Sequence, residues 1–212
     1  MEKQNLFIAF EGLDGSGKST QVKMLTDRLV QSGHKVYATF EPTDSRIGSL
    51  IRDIFNHRTE GDQRVIAALF VADRLNHLLD RQDGILKKLE DGYTVITDRY
   101  YFSSYAYHSV YIDMDWVIKA NALSAVILRP DLNIYIDILP EESMERINKG
   151  RNTKEMYETL ENLINVREKY LEAFRLLQHE EKVFITDGNR PPEHIGEEIW
   201  SEIADMVVKK KP

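Results

Sequence analysis

One stretch near the amino terminus determines the fold: residues 6–20 read LFIAFEGLDGSGKST. It opens with the apolar run Leu6–Phe10, which has the length and composition of a buried strand. Residues 12–19 then match the pattern G-x-x-x-x-G-K-S/T. Apolar positions at Val22, Leu25 and Leu29 follow with helical spacing, and Gly33 supplies a helix stop. Strand, glycine-rich loop and helix in this order form the context in which the pattern cradles phosphate groups.

The glycine-rich loop has the parts of a nucleoside triphosphate site. Its glycines let backbone N–H groups curl around a phosphate, and the helix that begins near Lys18 adds its positive end. Lys18 can bridge the β- and γ-phosphates, and the Ser19 hydroxyl can bind Mg²⁺. The ATP-binding residues predicted here are Gly12, Asp14, Gly15, Ser16, Gly17, Lys18, Ser19 and Thr20.

Four further apolar runs of strand length follow: Val36–Phe40, Thr94–Thr97, Leu132–Ile138 and Val183–Thr186. We interpret all of the runs as buried strands, because helix-period segments separate them. Those segments carry apolar stripes, of which the longest runs from Met156 to Leu177 and the last from Ile195 to Met206. The alternation predicts an α/β fold, with a parallel sheet covered by helices on both faces and ligands at the carboxyl ends of the strands. We expect one domain over residues 1–212.

Composition narrows the range of functions. The chain has 212 residues and a formal net charge of −7, which argues against a broad surface for nucleic acid or anionic membrane. There is no cysteine, so disulfides, thiolate metal sites and cysteine nucleophiles are excluded. The basic run Lys209–Lys211 is interpreted as a solvated tail. No apolar run approaches the length of a membrane span or signal segment, and we expect a cytoplasmic protein.

The glycine-rich loop indicates nucleotide binding but leaves the reaction open. A guanine-reading Asn-Lys-x-Asp motif is missing, because the related segment at 148–151 ends in Arg151. Motor ATPases usually carry Glu after the aspartate that ends a strand, whereas Asp98 is followed here by Arg99. An arginine at this position suits the binding of a phosphate, which favours a kinase that acts on a small molecule.

Residues that could form an acceptor site come directly after the second and third predicted strands, or lie on the helical segment between those strands. Phe70 and Arg74 lie one turn apart on one helical face, so Phe70 offers a flat surface for a base. Arg74 and Arg99 could clamp an acceptor phosphate with forked donors. Asp98 could hold Mg²⁺ or its waters. Because a phosphate is already a nucleophile, the predicted work is positioning and charge neutralisation.

Taken together, these motifs resemble those of thymidylate kinases, and the resemblance covers nearly the whole chain. It rests on segments 10–21, 41–42, 69–74, 98–100, 103–107, 130–132 and 136–137. It implies a three-layer P-loop kinase fold with a five-stranded parallel sheet, a lid at about 141–155 and a homodimer. It also implies phosphoryl transfer from ATP to dTMP with Mg²⁺. From the net charge and the short apolar runs we expect no nucleic-acid or membrane partner.

The resemblance also implies site residues. Asp14 would bind the sugar 3′-OH, Phe70 would stack on thymine, and Ser104 with His108 would read the base edge. The dTMP-binding residues would be Asp14, Glu41, Pro42, Phe70, Arg74, Arg99, Ser104, Tyr107 and His108. The catalytic residues would be Lys18, Asp98, Arg99 and Arg151, and the metal ligands Ser19 and Asp98, partly through water. Arg146 would lie in the lid over ATP, and residues 187–190 near the adenine.

Two positions depart from the family pattern. Phe40 stands where members often carry an arginine that helps to bind the acceptor phosphate, and Arg46 or Arg52 is expected to compensate if two arginines do not suffice. His108 stands where members often carry Gln, and an unperturbed histidine titrates near pH 6.5. Pyrimidine selectivity is expected to change with pH if the base contact uses the acceptor nitrogen of His108, and to change little if it uses only the donor. Three alternatives stay open: a kinase for another deoxynucleoside monophosphate, a deoxynucleoside kinase with Glu41 as base, and a non-catalytic nucleotide-binding module.

Overall fold

The computed structural model describes residues 5–150 and 156–208. The predicted catalytic residue Arg151, the end of the predicted lid and the basic tail Lys209–Lys211 lie outside these ranges. In chain order the described elements are β1 Phe7–Gly12, α1 Lys18–Gln31, β2 Val36–Phe40, α2 Arg46–Phe55, α3 Gln63–Leu79, α4 Ile85–Glu90, β3 Thr94–Asp98, α5 Tyr101–His108, α6 Met114–Ile127, β4 Leu132–Asp137, α7 Pro140–Gly150, α8 Leu160–Leu177, β5 Val183–Asp187 and α9 Pro192–Val208.

The five strands form one parallel sheet in the order β2-β3-β1-β4-β5. The predicted α/β fold with a five-stranded parallel sheet is therefore confirmed. Strand β1 lies at the centre, and Phe10 is in register with Asp98 of β3 and with Ile134 of β4. The loops that follow β1 and β3 consequently leave the sheet side by side at its carboxyl edge, where ligands of such sheets bind.

Alternation along β1 divides the core between the two faces of the sheet. Phe7 and Ala9 belong to the cluster formed with α5 and α8, whereas Ile8 and Phe10 belong to the cluster formed with α1 and α9. Each of these four side chains is fully buried. Helices therefore cover both faces of the central strand, which explains its continuous apolar run.

The prediction that every strand is buried was wrong for two of them. β2 and β5 are the outer strands of the sheet, and most of their residues are partly buried or exposed, with only Thr186 of β5 buried. Phe40 is 46% exposed and Ile185 is 49% exposed. Both runs are apolar and strand-like, but an edge strand has a neighbour on only one side.

The long apolar stripe predicted from Met156 becomes helical only at Leu160. Thr159 caps α8, because its hydroxyl accepts a hydrogen bond from the Asn162 backbone N–H at 3.2 Å. Leu163, Tyr170 and Phe174 are buried as expected, whereas Leu160 is exposed. Among the described residues, no helix is both long enough and apolar enough to cross a membrane.

Candidate active site

Two cavities meet at the carboxyl edge of the sheet. The phosphate-loop cleft has a volume of about 720 Å³ and is lined by β2, the glycine-rich loop, the start of α1 and the end of β3. The aromatic cavity has a volume of about 230 Å³ and lies between α2, α3, α5 and the segment that leads into α8. Asp14, Phe40 and Arg99 line both of them. The two spaces are therefore adjacent halves of one site.

The glycine-rich loop needs its glycines for space and for backbone geometry. Gly12 has a φ of +146°, and a Cβ built on it would lie 2.7 Å from the Ile136 carbonyl oxygen of β4. Gly17 has a φ of +97° and directly precedes α1. Both are conformations that residues with a Cβ rarely adopt. The loop thus closes tightly against the sheet, and the N-terminus of α1 opens into the phosphate-loop cleft.

Lys18 lies inside the loop that it is predicted to serve. Its Nζ donates to the carbonyl oxygens of Leu13 at 2.9 Å and Gly12 at 3.2 Å, and the side chain is buried. Burial lowers the pKa of Lys18 to about 8, and the positive charge of Arg99 adds to this effect. A bound polyphosphate would favour the charged form, so the site holds a cation that gains a partner when nucleotide binds.

Ser19 and Asp98 come together across the cleft. The Ser19 hydroxyl donates to Asp98 Oδ2 at 2.7 Å, because the register of β1 and β3 places the end of β3 beside the loop. Both side chains line the phosphate-loop cleft together with Thr20. A hydroxyl and a carboxylate are oxygen donors of the kind that Mg²⁺ prefers. No group of three or more His, Asp or Glu side chains suited to a metal occurs within residues 5–150 and 156–208.

Arg99 is the central cation of the site. Its Nη2 donates to Asp14 Oδ1 at 2.5 Å and to the Tyr107 hydroxyl at 3.2 Å, while Nη1 donates to the Gly12 carbonyl oxygen at 3.1 Å. Burial tends to lower the pKa of Arg99, but Tyr107 and Asp14 outweigh it, and the pKa is raised well above its ordinary value. Arg99 therefore keeps its charge at any working pH.

Asp14 is held in its ionised form. Burial tends to raise its pKa, but the charges of Arg99 and Lys18, with a hydrogen bond from the Tyr107 hydroxyl at 2.9 Å, leave that pKa below its ordinary value. The Asp14 carbonyl oxygen also accepts a hydrogen bond from Ser143 of α7 at 2.5 Å. Asp14 thus offers a fixed carboxylate at the boundary of the two cavities.

Arg74, which was predicted to hold the acceptor phosphate, is engaged within the protein. The side chain is fully buried, and all five of its N–H donors already have partners: Glu41, Ser104, Asn121 and the Tyr100 carbonyl oxygen. The ion pair to Glu41 measures 2.7 Å. Arg74 is absent from the described residues that line either cavity. In this arrangement Arg74 therefore supports Ser104 and Glu41, and its predicted contact with the acceptor phosphate stays a prediction.

Arg52 of α2 is one of the two arginines expected to compensate for the arginine missing at Phe40. It lines the aromatic cavity, and its Nη1 donates to the Pro42 and Thr43 carbonyl oxygens at 2.9 and 2.6 Å. Arg46, the other arginine considered as a replacement, is exposed and is absent from the described lining of both cavities. In the sequence, the position of Arg52 shortly after Glu41-Pro42 was the signal that pointed to it as a replacement.

Aromatic rings form the walls of the second cavity. Phe70 lines it as predicted, and its ring centroid lies 5.1 Å from that of His108 and 5.8 Å from that of Phe55. Tyr157 packs against Phe55 at 5.2 Å and lines the cavity beside Glu158. The sequence prediction missed Phe55, Tyr157 and Glu158, because they are remote in sequence from the recognised motifs. A cavity lined by aromatic rings and a few polar groups suits a flat heterocycle.

His108 and Ser104 lie on α5 at the end of this cavity, and both are buried. Burial lowers the pKa of His108 to about 3, and the charge of Arg74 acts in the same direction. Within the described residues, His108 Nδ1 has no hydrogen-bond partner. The expectation that His108 titrates near neutral pH was therefore wrong, and a neutral imidazole faces the cavity.

The described part of the predicted lid packs on the glycine-rich loop. Arg146 of α7 donates from Nη2 to the Gly188 carbonyl oxygen at 3.0 Å and from Nη1 to the Gly15 carbonyl oxygen at 3.4 Å. Arg146 thus joins the loop to the segment after β5 that was predicted to lie near adenine. Lys149 forms an exposed ion pair with Glu145.

Of the predicted donor residues, Asp14, Gly15, Gly17, Lys18, Ser19 and Thr20 line the phosphate-loop cleft, together with Glu41, Asp98 and Arg99. Of the predicted acceptor residues, Asp14, Pro42, Phe70, Arg99, Ser104, Tyr107 and His108 line the aromatic cavity. Ser16 is buried beneath the loop, with its N–H donating to the Leu13 carbonyl oxygen at 3.1 Å.

Comparison with known proteins agrees with this geometry. The family model described as thymidylate kinase matches residues 10–199. A probable thymidylate kinase of Methanococcus aeolicus is 35% identical over 96% of this chain and 98% of its own length. A probable thymidylate kinase of Thermococcus onnurineus is 39% identical over 97% of this chain and 100% of its own length. One of Pyrococcus horikoshii is 40% identical over 78% of this chain and 80% of its own length. Because the family model matches most of the chain and these relatives align along nearly their whole length, the chain belongs to the thymidylate kinase family.

Proposed function

We propose that this protein transfers the γ-phosphoryl group of ATP to dTMP, giving dTDP and ADP for deoxynucleotide synthesis in the cytoplasm. One observation carries the proposal: Arg99 and Asp14 line both the phosphate-loop cleft and the aromatic cavity. A triphosphate in the first space and a monophosphate in the second would meet at the same guanidinium. Family membership supports dTMP as the acceptor.

The acceptor would fill the aromatic cavity by three kinds of contact. Its base would stack on Phe70, whose ring lines the cavity. Its sugar hydroxyl would bind the ionised Asp14, and its phosphate would lie between Arg99 and Arg52, the cavity's two arginines among the described lining residues. Two fixed cations would lower the repulsion between acceptor and donor phosphates, which is the main obstacle to the reaction.

The donor triphosphate would lie on the glycine-rich loop. Lys18 would turn from the Gly12 and Leu13 carbonyl oxygens towards the phosphates, and Ser19 with Asp98 would hold Mg²⁺. When bound, the metal ion would supply positive charge to the phosphate oxygens. Arg146 would belong to a lid at about residues 141–155, together with Arg151, which lies outside the described residues. Residues 1–212 would form a single domain.

A deoxynucleoside kinase would need Glu41 as a free base. Glu41 is instead paired with Arg74 at 2.7 Å and lies 3.1 Å from His77 Nδ1, and it is buried. The pair of arginines in the aromatic cavity also suits an acceptor that carries a phosphate. Kinase action on another deoxynucleoside monophosphate stays open, since His108 replaces the usual base reader.

A coupled assay of ADP release would test the proposal, with ATP, Mg²⁺ and each of dTMP, dUMP, dCMP, dGMP and thymidine. We expect the highest kcat/KM with dTMP and a loss of a few orders of magnitude in Lys18→Ala. Fastest turnover of thymidine would make the protein a nucleoside kinase. ADP release that no acceptor stimulates would leave a nucleotide-binding module. Lys18→Ala within about threefold of wild type would contradict the assigned donor site.

We also propose a homodimer. Helices α3 and α6 pack against each other, and both expose large apolar side chains. Leu79 on α3 and Leu123 on α6 are 52% and 56% exposed, and Val126 is 79% exposed. A second copy of this chain would cover such side chains.

A further inference from the structure

A buried carboxylate stands directly behind the central cation of the site. Glu11 is the residue of β1 that precedes the glycine-rich loop, and its side chain is fully buried. It is absent from the described lining of both cavities. The proposed reaction therefore gives Glu11 no contact with either substrate, yet a buried carboxylate is costly unless its contacts compensate.

Glu11 holds the backbone at Arg99. Arg99 has a φ of +75°, a left-handed conformation that is strained for a residue with a long side chain. The Tyr100 N–H donates to Glu11 Oε1 at 2.9 Å, and the Arg99 N–H donates to the Phe10 carbonyl oxygen at 2.8 Å. Two consecutive residues of β1 thus fix the two N–H groups that define the turn carrying the Arg99 side chain.

Glu11 also orders the hydroxyl groups that receive the Arg99 guanidinium. Its Oε2 accepts hydrogen bonds from Ser103 Oγ at 2.5 Å and from the Tyr170 hydroxyl at 3.0 Å. Arg99 Nη1 in turn donates to Ser103 Oγ at 3.0 Å and to the Tyr170 hydroxyl at 3.4 Å. An ionised Glu11 draws both hydroxyl protons towards itself and leaves oxygen lone pairs facing Arg99.

We propose that Glu11 is a positioning residue for phosphoryl transfer: its carboxylate, acting through Tyr100, Ser103 and Tyr170, fixes Arg99 for the acceptor phosphate. This inference rests on the proposed function. A proton on Glu11 would enter the hydroxyl cluster and turn one hydroxyl hydrogen towards Arg99 Nη1, which would remove an acceptor from the guanidinium. Protonation of Glu11 would therefore weaken acceptor binding and transfer together.

The protonation state of Glu11 lies within reach of experiment. Burial raises its pKa to about 6, although Ser103 and the charge of Arg99 oppose the rise. The other charged or titratable groups that act on or respond to Glu11 are Tyr170 on α8, Lys18 on α1 and Arg74 on α3. At neutral pH most of the population carries the carboxylate, and the proton binds as pH falls through about 6.

The first test compares wild type with Glu11→Gln, which has the shape of the protonated acid, from about pH 5 to about pH 8.5. We expect kcat/KM for dTMP in the variant to be about tenfold lower at the alkaline end, with KM for ATP within about twofold of wild type. The profiles should converge at acid pH, because wild type loses its advantage as Glu11 protonates. Ionisation of the dTMP phosphate near pH 6 affects both enzymes alike and cancels in their ratio.

A matched pair of controls lies outside the hydrogen bonds of Glu11. Glu181 is also a buried glutamate, and its Oε1 accepts a hydrogen bond from the Tyr101 hydroxyl at 2.6 Å. Glu181→Gln and Tyr101→Phe should lower the melting temperature without changing the pH profile of kcat/KM for dTMP.

Tyr170→Phe tests the hydroxyl cluster itself, and it should lower kcat/KM for dTMP as Glu11→Gln does. Because both act through one cluster, the double variant should be less impaired than the product of the two effects.

The second test needs no substrate turnover. In protein with ¹³C-labelled glutamate carboxyls and ¹⁵N-labelled arginine, the Glu11 carboxyl and the Arg99 guanidinium signals should titrate together, with a smaller Arg99 shift in Tyr170→Phe. If Glu11→Gln does not fold, this titration of wild type and Tyr170→Phe still tests the inference. Parallel pH profiles in wild type and Glu11→Gln, or an Arg99 signal indifferent to Glu11 titration, would overturn the inference. Wild type that does not phosphorylate dTMP would instead overturn the proposed function and leave the NMR result standing.

Discussion

At the scale of single residues, the assignment of Arg52 to the acceptor phosphate can be tested directly. Arg52→Ala should raise KM for dTMP by about tenfold or more and change KM for ATP little, because a charge-assisted contact to the acceptor is lost. Arg46→Ala is the matched control on the same helix, since Arg46 is exposed and outside the described cavity linings. Equal effects of the two variants would contradict the assignment and point to a general change of charge.

Burial of the Lys18 charge is expected to lower the stability of the folded protein at neutral pH. The Lys18 pKa falls from 10.5 to about 8 on folding, so the cost of burying the charge is present in full below pH 8. As pH rises from 8 towards 10.5, only the folded state loses this proton, and wild type becomes relatively more stable. Lys18→Met should therefore have a higher unfolding free energy than wild type at neutral pH. This difference should decrease by about 3 kcal/mol as pH rises to about 10.5.

Urea unfolding of wild type and Lys18→Met at both pH values would measure that difference. Lys23→Met removes a charge from the exposed side of the same helix and serves as the control, because it should show no such trend. A stability difference between wild type and Lys18→Met that is constant with pH would show that Lys18 is not buried in its charged form.

His108 should not act as a switch near neutral pH. Its pKa of about 3 keeps the imidazole neutral in the folded protein, so the ratio of kcat/KM for dTMP and dUMP should stay flat from about pH 5.5 to about pH 8.5. The folded state resists protonation while the unfolded chain accepts it, so stability falls as pH drops from about 6.5 towards 3. His108→Gln should lose this part of the acid sensitivity. A selectivity ratio that bends near pH 6.5 would contradict the buried, neutral assignment.

At the scale of elements, the cap of α2 links stability to the acceptor site. The Ser45 hydroxyl accepts hydrogen bonds from the Ile47 and Gly48 N–H groups at 3.1 Å and donates to Asp73 at 2.8 Å. Ser45→Ala should cost about 1–2 kcal/mol of unfolding free energy. Because α2 also carries Arg52, the variant should raise KM for dTMP.

Asp113 provides the comparison for this prediction. It caps α6 by accepting a hydrogen bond from the Trp116 N–H at 3.1 Å, and α6 contributes no described residue to either cavity. Asp113→Ala should lower the unfolding free energy by about 1 kcal/mol and leave KM for dTMP unchanged. Denaturant unfolding and dTMP kinetics on both variants measure the two effects. A KM change common to both would mean that general loosening, rather than the position of α2, controls dTMP binding.

At the scale of the whole molecule, the proposed dimer predicts a concentration-dependent mass. Sedimentation should give a molecule of two chains, and Leu123→Glu should give monomers, because a charge would be buried against the apolar side chains of α3 and α6. Ile185→Glu on the edge strand β5 is the control, since Ile185 is 49% exposed on another element. A wild-type protein that stays monomeric at high concentration would refute the proposed assembly.

The sequence predicted the sheet because strand-length apolar runs and a strand–loop–helix motif are local signals. It could not distinguish β2 and β5 from the inner strands, because strand order is set by crossovers that no local pattern records. For the same reason the sequence could not predict the partners of Arg74: spacing placed it on the same helical face as Phe70, but only the fold shows that Glu41, Ser104 and Asn121 accept hydrogen bonds from it. Tyr157 and Glu158 enter the cavity from a distant segment and carried no signal of their own.

Arg99 is shared by the two cavities, and this sharing ties together affinities that are usually reported as separate constants. A ligand in one cavity that moves the guanidinium, or breaks its 2.5 Å pair with Asp14, changes the state that the other ligand meets. Thermodynamic linkage then requires reciprocity: the factor by which bound donor changes the dissociation constant of dTMP equals the factor by which bound dTMP changes that of the donor. With a non-hydrolysable donor analogue, two independent titrations must return one coupling energy, and its sign tells whether Arg99 serves the two phosphates jointly or in competition.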